Sequence, residues 1–189
     1  SNDVYDVLPA STSYRHSLAS VPVTSLSDLH QPLSNLQTNS ERFVIRGNLI
    51  EGRPTEGIRR TLRPKMDEPA NFVPASHHWV MLDIDDVSLP EGLVDPNTQA
   101  DDIVGHVISL LPAEFQQTSC VYQWSGSMGF KMDLIRVHLW FWLDRAVSDV
   151  ELKNWLHDAP VDHALFNPVQ VHYTANPILA EDISDPIKN

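Results

Sequence analysis

Residues 79–86 read WVMLDIDD, and residues 135–144 read IRVHLWFWLD. In the first stretch Val80, Leu82 and Ile84 alternate with Met81, Asp83 and Asp85, so a strand from Trp79 to Asp85 turns its aliphatic side to a core and its acids to the opposite face. The second stretch has the same period. Ile135, Val137, Leu139, Phe141 and Leu143 oppose Arg136, His138, Trp140 and Trp142.

Working outward, residues 99–111 place Ile103, Val104, Val107, Ile108 and Leu111 on one helical face, and Pro112 stops that helix. Cys120 to Ser125 reads as a short strand. Ser148 with Glu151 forms a capping box, with Val147 and Leu152 as its hydrophobic staple, and this second helix should run to about His157. Val169 to Thr174 closes the pattern as a last strand. The order βαββαβ predicts an α+β fold with the ferredoxin-like split arrangement, an antiparallel sheet carrying both helices on one face. In its usual strand order, last-first-third-second, Asp83, Asp85 and His138 lie on the face away from the helices. Asp85, His138 and Asp162 then converge.

The amino-terminal part is less patterned. Residues 1–40 are rich in Ser, Thr, Pro and Leu, which suits either a loose lead-in or a small lobe draped over the main domain. Ser25 can open a short helix, residues 43–47 read as a strand ending at Gly47, and residues 54–74 form a long connection. The chain therefore divides at 1–75, a lobe with a basic connecting segment, and 76–189, the better-patterned half. Ser1 and Asn2 read as an expression remnant on a piece of a longer protein.

At 189 residues, with 42% hydrophobic content, the chain can bury one sizeable core. No run approaches the roughly 18 apolar residues of a membrane span, and no export signal is evident, so the expected address is cytoplasmic with no membrane partner. One cysteine, Cys120, excludes an internal disulfide framework and a Cys-based zinc site within one chain. A net charge of −12 argues against nucleic-acid binding by bulk electrostatics. The distribution is uneven. Seven of the thirteen basic residues (Arg42, Arg46, Arg53, Arg59, Arg60, Arg63 and Lys65) share a stretch with only Glu51 and Glu56 as acids, whereas residues 67–102 hold nine acids and no Lys or Arg. A basic arm beside an acidic site suits an enzyme that grips a polyanion while concentrating cations. A solvated charged loop has the same composition.

Two aspartates at i and i+2 of a strand project from one face with Cα atoms about 6.5 to 7 Å apart. Such paired hard oxygen ligands suit Mg²⁺ or Mn²⁺, and two such ions can clamp the attacking and leaving oxygens in phosphoryl transfer. An Asp-x-Asp alone also marks turns and strand ends; here the apolar run before it places the acids at the exit of a buried strand. A lone strand histidine is ordinarily structural, but beside these aspartates His138 can contact nucleotide phosphates. Trp140 and Trp142 share its face and either pack under the amino-terminal lobe or stack on bases. The loop SGSMGFK, residues 125–131, resembles a phosphate-cradling turn but lacks the Gly-Lys-Ser/Thr ending of a P-loop.

Four blocks, WVMLDIDD (79–86), YQWSGSMGFK (122–131), RVHLWFWLDR (136–145) and VDHALFNPVQVHYTANPI (161–178), resemble in order and spacing the primase-polymerase domains of phage and plasmid replication proteins in the archaeo-eukaryotic primase superfamily. The resemblance covers residues 76–186. It implies an RRM-like catalytic half packed against an amino-terminal αβ lobe, together one primase-polymerase domain. It also implies a two-metal nucleotidyltransferase that copies single-stranded DNA from nucleoside triphosphates, with a helicase in the same or a neighbouring chain of longer relatives. The family's metal-ligating acids fall on Asp83, Asp85 and Asp162, and its phosphate-binding histidine on His138. Many members carry Ser two residues before that histidine, where this chain has Arg136; the nucleotide pocket would then draw on Ser125, Ser127, Lys131 and Arg136. Arg53, Arg59, Arg60 and Arg63 are the expected nucleic-acid contacts. Two other readings stand beside this one. A noncatalytic RRM-like module that binds single-stranded nucleic acid would need exposed aromatics on the central strands. A replication-initiator endonuclease would need an alternating His pair and a helical tyrosine, whereas His77 and His78 are adjacent and Tyr173 lies in a strand pattern.

Overall fold

The computed structural model describes residues 14–130 and 133–187. The fold is α+β. In chain order it contains α1 (Leu26–Gln37), β1 (Phe43–Val44), β2 (Asn48–Leu49), β3 (Phe72–Val73), β4 (His77–Ser88), α2 (Ala100–Ser109), α3 (Ala113–Gln116), β5 (Cys120–Trp124), β6 (Leu134–Val147), α4 (Asp149–Trp155), a 3-10 turn (His163–Leu165) and β7 (His172–Tyr173). No helix among the described residues is long and apolar enough to cross a membrane.

The central sheet is antiparallel with the order β4-β6-β5. Its faces follow the alternation in the sequence. Val80, Leu82, Ile84, Val137, Leu139 and Phe141 are fully buried and pack against Ile103 and Val107 of α2, Phe115 of α3 and Leu152 of α4. The opposite face carries Trp79, Met81 and Trp140, covered by Leu29 and Leu33 of α1 and by Leu165. Helix α1 starts at Ser25, whose hydroxyl accepts from the Asp28 amide at 3.1 Å, and α4 starts at the anticipated capping box of Ser148 and Glu151.

The last strand departs from the expected topology. β7 is two residues long and pairs with β1, Phe43 opposite Tyr173 and Val44 opposite His172, so among the described residues the central sheet has three strands and nothing from 169–174 adds to β4. The cause lies just upstream. Pro168 has no amide hydrogen to give to a ladder, and its carbonyl instead accepts from Gly47 at 2.6 Å, while the Val169 carbonyl accepts from the Arg60 guanidinium. A Cβ on Gly47 would meet that Pro168 oxygen at 2.8 Å, so only glycine allows the approach. Pro168, Val169, His172 and Tyr173 are thus claimed by the amino-terminal segment.

Arg46 overturns the reading of residues 42–65 as one solvated or phosphate-gripping arm. Its side chain is fully buried, pairs with Asp149 at 2.6 Å, and donates to the carbonyls of Trp79 and, at 2.8 Å, Val147. Three groups from the second half of the chain satisfy one guanidinium from the first.

Candidate active site

The register across the sheet sets Asp83 opposite His138, and His138 opposite Gln123, on the face away from α2 and α4. One transverse polar row therefore crosses all three strands. The His138 Nε2 lies 3.4 Å from Asp83 Oδ1 without a hydrogen bond between them, and Asp83 Oδ1 and His138 Nδ1 are both buried with no partner. Burial pushes the Asp83 carboxyl up to about 7, helped by the like charges of Asp85 and Asp162 and opposed by Arg136. Burial likewise holds His138 down to about 4, so at neutral pH the ring is uncharged and can only donate from a neutral N–H.

Asp162 reaches this point from the far end of the chain. Its backbone amide donates to the Asp83 carbonyl at 2.9 Å, and its Oδ1 accepts from Ala164 at 2.8 Å as the cap of the 3-10 turn. The segment that carries Asp162 does reach β4, but at the Asp83 backbone rather than at Asp85 and through a loop before a short turn, not a fourth strand; the exposed Asp162 carboxylate itself is spent on capping that turn. Among the described residues no group of three or more His, Cys, Asp or Glu side chains has a metal-holding arrangement.

A bulge shapes the exit of β4. Ile84 pairs with Val137 and Val87 with Ile135, so Asp85 and Asp86 together face the single residue Arg136. The strand continues to Ser88 and Asp86 is part of it, which the alternating pattern alone did not reveal. The Arg136 Nη1 lies 3.5 Å from Asp85 and its Nη2 4.0 Å from Asp86, while its shortest contact is a 3.0 Å donation to the Ser127 hydroxyl. The Ser127 hydroxyl is in turn 3.4 Å from that of Ser125. Ser125, Ser127 and Arg136 thus form one cluster against the acids. Lys131 lies outside the described residues.

The four arginines expected to meet nucleic acid differ among themselves. Arg60 is tied down by Val169 and by the Phe43 ring, 5.3 Å below its guanidinium. Arg59 pairs with Glu68 at 3.5 Å and donates to the Met66 sulfur, and Arg53 is half-buried. Arg63 is exposed, as is Lys65 beside it. Trp140 is fully buried, and Trp142 stacks on His78 with ring centroids 5.6 Å apart, so both serve packing.

Sequence reasoning passed over three members of the polar face. Gln123 is buried and donates to the Thr174 carbonyl, leaving its own Oε1 unpartnered. The Thr174 hydroxyl and the His172 Nε2 are also buried without partners, and burial and the Arg46 charge hold His172 down to about 4. Gln123 was within reach of the strand alternation, since Val121 and Gln123 fall on the same side as His138. His172 and Thr174 depend on the β1–β7 pairing and leave no comparable signal. No protein-family model, no curated protein and no solved structure matches this chain.

Proposed function

We propose that this chain is the catalytic domain of a template-directed nucleotidyltransferase of the primase-polymerase kind, built on an RRM-like, ferredoxin-like core. One observation carries the reading. Asp85, Arg136 and Asp162, from three separate parts of the chain, all act on the charge of Asp83, which itself faces His138 across the β4–β6 ladder. A carboxyl buried with an unpartnered oxygen and crowded by two further acids is destabilised as an anion, and a hard divalent cation relieves that conflict. The three carboxylates do not stand in a metal-holding arrangement as they are, so Asp83, Asp85 and Asp162 would have to close on such an ion, Mg²⁺ or Mn²⁺, from their present positions. When bound, it supplies charge neutralisation at the reacting phosphate and lowers the pKa of an attacking hydroxyl.

The chain's own residues would divide the remaining work. Ser125, Ser127 and Arg136 offer donors to a triphosphate next to the acids, and the neutral His138 N–H can add another without the cost of a buried charge. Arg63 and Lys65, exposed on the connecting segment, suit the phosphates of a single-stranded DNA template. A helicase in the same or a neighbouring chain fits this role as a partner. The rival reading as a noncatalytic stacking module is disfavoured by the central strands: Trp79 and Trp140 are buried under α1 and Leu165 and offer no open ring to a base.

Calorimetry with Mn²⁺ and primer synthesis on a single-stranded template test the proposal together. The wild type should bind Mn²⁺ and extend, whereas Asp83→Asn with Asp85→Asn should lose the binding and reduce synthesis by about a thousandfold or more. Equal Mn²⁺ binding by both proteins would remove the site. His138→Ala should raise KM for nucleotide or lower kcat; a melting shift with unchanged nucleotide kinetics would return His138 to a structural role.

A further inference from the structure

The central strands keep their rings covered, whereas the two-stranded ribbon of β1 and β7 turns rings outward. The alternation of a strand sends His172 inward, against Trp79 and Trp140, and Tyr173 outward, where it is 43% exposed. Phe43 stands opposite Tyr173 in the ladder, with ring centroids 6.2 Å apart in edge contact. His16, brought there by its backbone bridge to Ile58, also meets Phe43 edge-on, at 5.0 Å. Tyr14 lies two residues before His16, within about 7 Å along the chain, and is 83% exposed. Three guanidinium groups flank this row. That of Arg60 sits 5.3 Å over Phe43 and donates to the neutral Val169 carbonyl, while those of Arg15 and Arg59 share one carboxylate, Glu68. Three positive charges against one negative make the patch basic in a chain whose net charge is −12. A single exposed ring is ordinary on a protein surface; two on one basic patch, backed by further rings, have the composition of a surface that binds single strands.

We propose that the outer face of the β1–β7 ribbon is a stacking platform for single-stranded DNA: bases lie on Tyr173 and Tyr14, and Arg15, Arg59 and Arg60 meet the neighbouring phosphates. The choice of a DNA strand rests on the template-directed reading above; the platform itself needs neither a metal ion nor Asp83. Its two kinds of group call for a partner that is flat and apolar in one part and anionic in the next. A base gains by leaving water against a ring, and Phe43 already holds the Tyr173 ring in place, so little motion is lost on binding. An acidic peptide would satisfy the guanidinium groups and leave the rings wet. A duplex buries its base faces in its own stack and offers none to a tyrosine. The ribbon also joins the platform to the proposed catalytic face, since His172, next to Tyr173 in the chain, packs on Trp140, which shares a sheet face with His138.

Fluorescence anisotropy with a labelled oligothymidylate, in EDTA and at several salt concentrations, tests the platform on the whole chain. Stacking is lost with the ring but releases no counterion, so Tyr173→Ser should weaken binding about five- to a hundredfold without changing the salt slope. Tyr173→Trp, which keeps a ring, should stay within about threefold of the wild type. Tyr14→Ser, a change at a side chain too exposed to matter for folding, should weaken binding about five- to tenfold and is read on its own if Tyr173→Ser misfolds. An abasic oligomer of the same length, which has phosphates and no bases, should bind the wild type and both serine variants alike. If neither serine variant binds oligothymidylate more weakly than the wild type, the platform is wrong; a loss with Arg63→Glu and Lys65→Glu on the same oligomer would then leave the template reading standing. If the wild type itself binds no oligothymidylate, both fall together.

Discussion

The two faces of the central sheet are built from the same strands and obey different rules. Toward α2 and α4 every strand side chain from Val80 to Ile84 and from Ile135 to Phe141 is aliphatic or aromatic and buried to within a few per cent. On the other face the same strands bury Asp83, His138 and Gln123, each with a polar atom that finds no partner. Unpartnered buried polar groups cost about 1–3 kcal/mol each, and a fold selected for stability alone would not gather them in one row. The first face makes the protein stand; the second is where stability has been given up for something else.

The sharpest test of that contrast is on the helix-covered face. Phe141→Ala removes a ring in edge contact with Phe115 at 4.9 Å and should cost about 3–5 kcal/mol in chemical denaturation. A loss below about 1 kcal/mol would mean that this face is not the main core. On the opposite face the sign should reverse. Asp83 is ionised above its raised pKa of about 7, so at pH 8 the folded state bears a charge that the unfolded state holds more easily. Asp83→Asn should therefore stabilise the metal-free protein by roughly 1–3 kcal/mol while abolishing synthesis. A destabilised Asn variant would break the comparison.

Acid sharpens it further. Between pH 6.5 and 4.5 the unfolded chain protonates His138 and His172 while the folded chain, with both held to about 4, does not, so stability falls with pH. Asp83 works the other way, binding its proton when folded from about pH 7 downward. The metal-free wild type should lose about 1–2 kcal/mol over this window and Asp83→Asn about twice that, read from denaturation midpoints at each pH. Equal losses would show that Asp83 does not titrate as its surroundings imply. The smallest effect belongs to the exposed cations. Arg63→Glu with Lys65→Glu should weaken single-strand binding by roughly two- to tenfold and flatten its salt dependence, with folding unchanged. An unaltered salt slope would leave them as solvated charges.

The alternation in residues 79–86 and 135–144 carried most of what was legible. It specified both faces of β4 and β6, and so put Asp83 and His138 on one face, because a half-buried strand admits only one assignment of its side chains; which residues stand opposite each other is a matter of register that alternation leaves open. The caps of α1 and α4 were equally readable. The bulge was not: nothing in DIDD separates a strand that ends at Asp85 from one that absorbs an extra residue and runs to Ser88. The fourth strand failed for a different reason. Val169 to Thr174 has strand composition, but what it pairs with depends on Gly47, Arg60 and Phe43, more than a hundred residues away, and on a proline whose missing donor turns the chain aside. Arg46 misled in the same way, since a basic residue in a basic stretch gives no sign that it will be buried against Asp149.

That buried pair also bears on how such a protein can change over generations. Exchange of genetic segments works best where few interactions cross the join, and the stretch near residue 75 looks like such a join on composition alone. Here Arg46 and Asp149 stand on opposite sides of it, together with the Gly47–Pro168 bond and the β1–β7 ladder. A foreign lobe spliced on at that point would leave Asp149 stranded at the head of α4. A graft that carries positions 46 and 149 over together should therefore fold where one that separates them should not.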